Sequence, residues 1–129
     1  MADDDVEVVR KGYAAFSSGD LAALAALYSE DVTWTVPGNN PYSGTKRGRD
    51  AVIAFLVEVA TTSGGTYRTQ NLALAGADGR VFALDASQAS RNGKSLNTTG
   101  VNVFELTDGL VTSVQQYFED TTESDAFWS

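Results

Sequence analysis

Gly76-Ala77-Asp78-Gly79, Arg91-Asn92-Gly93 and Thr107-Asp108-Gly109 punctuate the second half of the chain at similar intervals. Each is hairpin chemistry, because Asp-Gly and Asn-Gly supply the positive φ that tight turns need. Around them apolar and polar residues alternate with the two-residue period of an extended chain. The spacing predicts four strands, near Thr66–Leu74, Arg80–Ser90, Ser95–Leu106 and Leu110–Glu119. Consecutive hairpins make an antiparallel meander.

Upstream of Gly64-Gly65 the period changes. Val6, Val9, Tyr13 and Phe16 recur at spacings of three and four, one apolar stripe of a helix. Asp3, Asp4, Asp5 and Glu7 crowd its start, where the helix dipole favours negative charge. Ser18-Gly19 stops it, and Asp20 is placed to cap a second helix, Leu21 to Tyr28. Asp31 to Val36 reads as a short strand, with Val32, Trp34 and Val36 alternating, and is expected at a sheet edge. Pro37-Gly38-Asn39-Asn40-Pro41 breaks the pattern and holds both prolines. Asp50 opens a third helix, about Ala51 to Thr61, with Val52, Phe55, Leu56 and Val59 on one face. Helices first and strands later gives an α+β class, three N-terminal helices on one face of a curved, mostly antiparallel sheet. At 129 residues this is one domain, residues 1–129, without repeats or linkers.

Nine Lys+Arg against seventeen Asp+Glu give a net charge of −8. Such a balance speaks against a nucleic-acid partner, since phosphate neutralisation needs a basic face, and against an anionic membrane surface. The chain has no Cys and no His. Disulfides, thiolate nucleophiles, thiolate metal sites, the Ser-His-Asp triad and the commonest metal ligand are therefore excluded. Carboxylates fall at no metal-ligand spacing, and no glycine motif cradles a nucleotide, so neither metal nor cofactor is expected. The start, Met1 to Asp5, is acidic, the opposite of a secretory leader, and no apolar run approaches a membrane span. A cytoplasmic protein is the expectation.

The element order resembles the cone-shaped, cystatin-like fold of nuclear transport factor 2, and within that superfamily the SnoaL-like group. Tyr13-Ala14-Ala15-Phe16, Ser18-Gly19-Asp20-Leu21 and Leu27-Tyr28-Ser29-Glu30-Asp31-Val32 carry the likeness. Trp34-Thr35-Val36-Pro37-Gly38, Ser43-Gly44, Gly48-Arg49-Asp50-Ala51-Val52, Val103-Phe104-Glu105-Leu106-Thr107-Asp108-Gly109 and Tyr117-Phe118 continue it over nearly the whole chain. The resemblance implies an apolar pocket inside the cone and catalytic groups on inward-facing strand positions. It also implies kinship with ketosteroid isomerases, polyketide cyclases and limonene-type epoxide hydrolases. The isomerase base maps onto Val36, which cannot take a proton. The isomerase oxyanion groups map near Gly12, beside Tyr13, and onto Asn102. The acid of the cyclases maps onto Gln116. Of the hydrolase Asp-Arg-Asp set, one Asp maps onto Asp85, the other onto Gln116 and the Arg onto Ala83, while Trp34 replaces a Tyr. Each family chemistry thus lacks an essential group.

Asp85 lies in the otherwise apolar run Phe82-Ala83-Leu84-Asp85-Ala86, on one face with Ala83 and Ser87. Inside a cone its carboxyl is expected to titrate above about 3.9 and to serve as acid or base. The alternative is a structural carboxylate held by Asn102, Gln116 or a hydroxyl. On the register that the resemblance implies, Asn102 and Gln116 share the inward face with Phe104, Val114 and Phe118, orienting a carbonyl-bearing ligand or bonding each other. Tyr13, Trp34 and Tyr42 supply flat walls, and Phe16 and Phe55 read as core. Lys46-Arg47-Gly48-Arg49 reads as a solvated basic loop and the acidic C-terminal stretch as a solvated tail. Ala126-Phe127-Trp128-Ser129 is expected to cap the pocket, pack on a partner subunit or close the core.

Three functions follow. The first is a cofactor-independent enzyme acting on an apolar oxygenated molecule, with Asp85 as acid/base. The second is a binding protein with the same pocket. The third is an assembly module pairing through outward positions such as Val101, Val103, Thr112 and Tyr117. A homodimer is expected under any of them.

Overall fold

The computed structural model describes residues 2–129; Met1, where the acidic start begins, lies outside the described residues. The order is α1 (Ala2–Ser18), α2 (Leu21–Ala26), β1 (Tyr28–Val36), β2 (Gly44–Arg47) and α3 (Arg49–Thr62). Then come β3 (Arg68–Ala77), β4 (Arg80–Arg91), β5 (Lys94–Thr107), β6 (Leu110–Phe118) and α4 (Thr121–Trp128). The six strands form one sheet in the order β2-β1-β6-β5-β4-β3. The meander β3 to β6 is antiparallel throughout, and only β1 runs parallel to its neighbour β6.

The hairpin turns follow from their residues. Asp78, Asn92 and Asp108 have φ of 53°, 50° and 52°, each followed by a glycine near 75–79°. Two successive positive-φ residues match the right-handed strand twist, and these residue types adopt that conformation cheaply. Register shifts between Asn71 and Ala73, between Glu105 and Leu106, and between Tyr28 and Thr33 mark bulges in the sheet. Bulges bend strands, and the first of them re-aims Asn71. Val9, Leu24, Val32, Val52, Val81, Val111 and Val114 are almost wholly buried between helices and sheet.

Four expectations are corrected. The second helix ends at Ala26, because the Val111 N–H donates to Leu27 O and draws Tyr28 into the sheet. The strand through Trp34 is interior: β2, read as loop, pairs with it antiparallel and β6 flanks it on the other side. The basic cluster is structured rather than loop, with Lys46 and Arg47 in β2 and Arg49 opening α3. The Lys46 ammonium donates to the Tyr42 carbonyl and lies 4.8 Å over the Phe55 ring. Burial moves its pKa down, with Glu58 opposing.

The fourth correction is the tail. Residues 121–128 form a fourth helix, capped by the Asp120 carboxylate accepting from the Glu123 N–H at 3.0 Å. Asp125 Oδ1 accepts from Asn39 N at 2.9 Å and Asn40 Nδ2 at 2.8 Å, tying the Pro-Gly loop to this helix. Gly38 permits the approach: its φ is +92°, and a Cβ there would collide with the Asp125 and Thr121 side chains. At the other end Arg91 Nη1 donates to Phe127 O at 2.8 Å and Lys94 Nζ to Ala126 O at 3.0 Å. Cations on the last carbonyls of a helix are favourably placed.

Candidate functional site

The concave face of the sheet and helices α1 and α3 enclose a cavity of about 110 Å³. Its wall contains Tyr13 from α1, Trp34 from β1, Asp85 from β4, Asn102 and Phe104 from β5, and Gln116 and Phe118 from β6. Tyr42, from the loop between β1 and β2, completes the set singled out from the sequence. Cross-strand register explains part of the convergence: Ala83 pairs with Asn102, Asn102 with Gln116, and Asp85 with Gly100. Alternate positions on neighbouring strands then share one face.

Asp85 is 6% exposed and receives hydrogen bonds on both oxygens. The Tyr13 hydroxyl donates to Oδ2 at 2.6 Å, and Asn102 Nδ2 donates to the same oxygen at 3.2 Å. Asn71 Nδ2 donates to Oδ1 at 3.0 Å. Asn102 Nδ2 also lies 3.3 Å from the Tyr13 oxygen, which accepts from it. Four elements thus meet at one carboxyl. Burial pushes the Asp85 pKa up, and the bonds from Tyr13 and Asn71 pull it back only partly. The Tyr13 phenol moves far above its ordinary range, through burial first and then the neighbouring Asp85 charge. It therefore stays protonated and serves as a donor. Burial also raises Tyr28.

Gln116 is not one of the donors to Asp85. Its amide lines the cavity and makes no side-chain hydrogen bond to a described residue. Phe16 and Phe55, read as plain core, line the cavity as well. Val114 is buried on the expected face but is not part of the wall.

The aromatic wall is continuous. Trp34 packs at 6.0 Å on Phe55 and 6.4 Å on Phe104, and Tyr42 at 5.8 Å on Phe55. Trp128 closes it edge-on to Tyr42 at 5.0 Å, so of the three roles left open for the C-terminal pair the fold shows both pocket cap and core. The Trp34 indole N–H is buried without a hydrogen-bond partner among the described residues.

Sequence reasoning missed Asn71, Tyr28 and Tyr67 as wall or carboxyl-holding residues. Asn71 owes its aim to a bulge that no residue pattern announces, and Tyr28 was assigned to a helix. Asp120-Thr121-Thr122-Glu123 is the one signal that was present, since an acid three residues after a capping side chain marks a helix start.

Among the described residues no group of three or more His, Cys, Asp or Glu gathers to hold an ion. No helix among them is long and apolar enough to cross a membrane.

Helices closing one face of a curved sheet give this chain the nuclear transport factor 2-like, cystatin-like fold. A SnoaL-like domain matches residues 9–114, and the chain belongs to that family. It is 35% identical over 131 residues to an uncharacterized protein of Mycobacterium tuberculosis, covering 100% of both chains. It is similar to the structure of a protein from a soil-derived mobile gene cassette, with TM-score 0.97, 35% identity and 99% and 98% of the two chains covered. A protein of unknown function with a cystatin-like fold from Xanthomonas campestris matches with TM-score 0.89 and 30% identity over 100% and 99%. Structures described as a putative ketosteroid isomerase, a putative polyketide cyclase and an epoxide hydrolase share the fold at TM-scores of 0.74, 0.75 and 0.74.

Proposed function

We propose that this chain is a cofactor-independent acid–base enzyme acting on an apolar, oxygenated small molecule held in the cone. One observation carries the reading: a buried carboxyl on the cavity wall, fixed by three donors and faced by no Lys or Arg of the lining. A cation would lock the carboxylate in its ionised form; desolvation instead poises it to exchange a proton. In the ionised form Asp85 takes a proton from a carbon acid or from a water. Tyr13 and Asn102 hold the carboxyl in place and stabilise the charge it carries before the transfer.

Val36, Gln116 and Ala83 stand where related chemistries need ionisable groups, so Asp85 works without a second carboxylate. The test is proton exchange. Nuclear magnetic resonance in D2O is expected to show accelerated loss of the α-protons of the bicyclic ketone indanone with wild-type protein. Exchange no faster than buffer across a ketone panel, together with no hydrolysis across an epoxide panel, would remove the reading and leave the binding-protein alternative.

Tyr13→Phe removes a bond that stabilises the Asp85 carboxylate. Its pKa then rises further, and the acid limb of the pH–rate profile is expected to move to higher pH. An unchanged limb would mean Tyr13 does not act through Asp85.

The convex face supports a homodimer. Leu72, Phe82, Leu84 and Tyr117 are exposed there, with the pairs Phe82–Val103 and Leu84–Val101 adjacent in register. A contiguous apolar patch on a sheet face calls for cover, and a second copy burying about 800 Å² per subunit supplies it. Sedimentation at micromolar concentration is expected to give twice the chain mass; monomer alone would refute the pairing.

A further inference from the structure

We propose that Trp34 is the specificity-determining anchor of the cavity, its indole N–H receiving the carbonyl oxygen of an uncharged ligand. This deepens the cavity reading above and does not depend on turnover.

Several hydrogen-bond donors of the wall are already engaged. The Tyr13 hydroxyl and the Asn71 and Asn102 amides are committed to Asp85. The Tyr42 hydroxyl donates to Thr62 Oγ1 at 2.8 Å and the Tyr67 hydroxyl to Ser87 Oγ at 3.3 Å. Among the described residues three wall donors remain without a side-chain bond, the Gln116 amide, the Tyr28 hydroxyl and the Trp34 Nε1–H, and of these only the Trp34 nitrogen is a fully buried atom left without a partner, on a residue 6% exposed. Burying an unpaired donor costs folding free energy, so such a group needs an explanation. The other buried atom without a partner, Glu123 Oε1, is an acceptor on α4 and is no part of the cavity wall.

The indole has little freedom to seek another partner. Phe55 and Phe104 flank it, and its strand is fixed on both sides by β2 and β6. It is a donor only, so its complement is an acceptor. The rest of the wall sets the charge of that acceptor. Among the described residues no Lys or Arg lines the cavity, while Asp85 does, so a carboxylate or phosphate entering it would lose its hydration and meet a like charge. A neutral carbonyl is the strong acceptor that remains, carried on a flat apolar body that suits the surrounding rings.

The experiment compares three probes by calorimetric titration: indanone, its oxygen-free counterpart indane, and indane carboxylate. Wild-type protein is expected to bind indanone about three- to tenfold more tightly than indane, as one neutral hydrogen bond implies, and the carboxylate weakest. Trp34→Phe keeps an aromatic ring and is expected to bring indanone down to the level that indane reaches in the same variant. Where that variant fails to fold, the wild-type indole N–H resonance of Trp34, assigned against Trp128→Phe, gives the same answer. It is expected to shift with indanone and to stay in place with indane.

Equal binding of indanone and indane, an unmoved indole resonance, tighter binding of the carboxylate, or no binding of indanone at millimolar concentration would each overturn the proposal. So would a ketone preference that survives in Trp34→Phe. A ketone preference without proton exchange would remove the acid–base reading alone. Exchange without the preference would remove this one alone.

Discussion

Asp85→Asn is expected to reduce proton exchange by about 10²–10⁴-fold, the range for loss of a general acid–base group, while the fold persists. The amide cannot accept a proton at neutral pH, yet it fills the same volume and keeps one acceptor for the Tyr13 hydroxyl. The stability of the variant separates a poised acid from a structural one. Burial raises the Asp85 pKa in the folded protein above its ordinary value near 3.8. The folded state then holds the proton more tightly than the unfolded chain does. Protonated Asp85 contributes its full share of stability below the unfolded pKa, and that share is lost as pH rises through the folded pKa. Asn has no such loss. The difference in unfolding free energy between variant and wild type is therefore expected to move in the variant's favour as pH rises from below 3.8 and then to level off. Urea titrations at several pH values measure it. Movement in favour of wild type would show that the three donors outweigh desolvation, making Asp85 a structural carboxylate and removing the catalytic reading.

Phe127→Ala is expected to cost about 3–5 kcal/mol, the range for truncating a buried aromatic. The residue is 2% exposed and packs edge-on to Trp128 at 4.7 Å. The carbonyls at its end of α4 are held by Arg91 and Lys94 on the neighbouring hairpin, and Asp125 holds the Pro-Gly loop. Loss of the ring therefore loosens the helix, the loop and the Trp128 side of the cavity together. Thr122→Ala, on the exposed side of α4, is expected to change stability by less than about 0.5 kcal/mol. Equal effects for the two substitutions would contradict the seating of α4 in the core.

The meander was legible because its turns are local chemistry. Asp78-Gly79, Asn92-Gly93 and Asp108-Gly109 have one cheap conformation, and alternation then fixes which side chains face inward. Parity put Asp85 on one face with Ala83 and Ser87, and the register implied by the family likeness brought Asn102 and Gln116 to that face. Trp34, Tyr13 and Tyr42 needed the likeness to known proteins, because nothing local says which helix closes over which strand. The edge position expected for β1 was wrong for the same reason: Gly44–Arg47 is four residues long, and pairing rather than propensity makes it a strand. The solvated reading of the tail weighed its acids as a sum of charge. Asp120 and Asp125 have separate tasks, a helix cap and a bridge to a loop, and charge counting cannot reveal either.

The parallel pairing of β1 with β6 has a consequence for the route by which the chain reaches this shape. Trp34 meets Val114 across that pair, whereas each turn of the meander joins strands adjacent in sequence. Closing a long loop carries a larger entropic penalty than closing a tight turn, and distant pairing slows folding. The hairpins are thus expected to assemble ahead of the β1–β6 pairing. A refolding time course followed by indole fluorescence would then be dominated by a late phase, since Trp34 and Trp128 both reach their final surroundings only when the cone shuts.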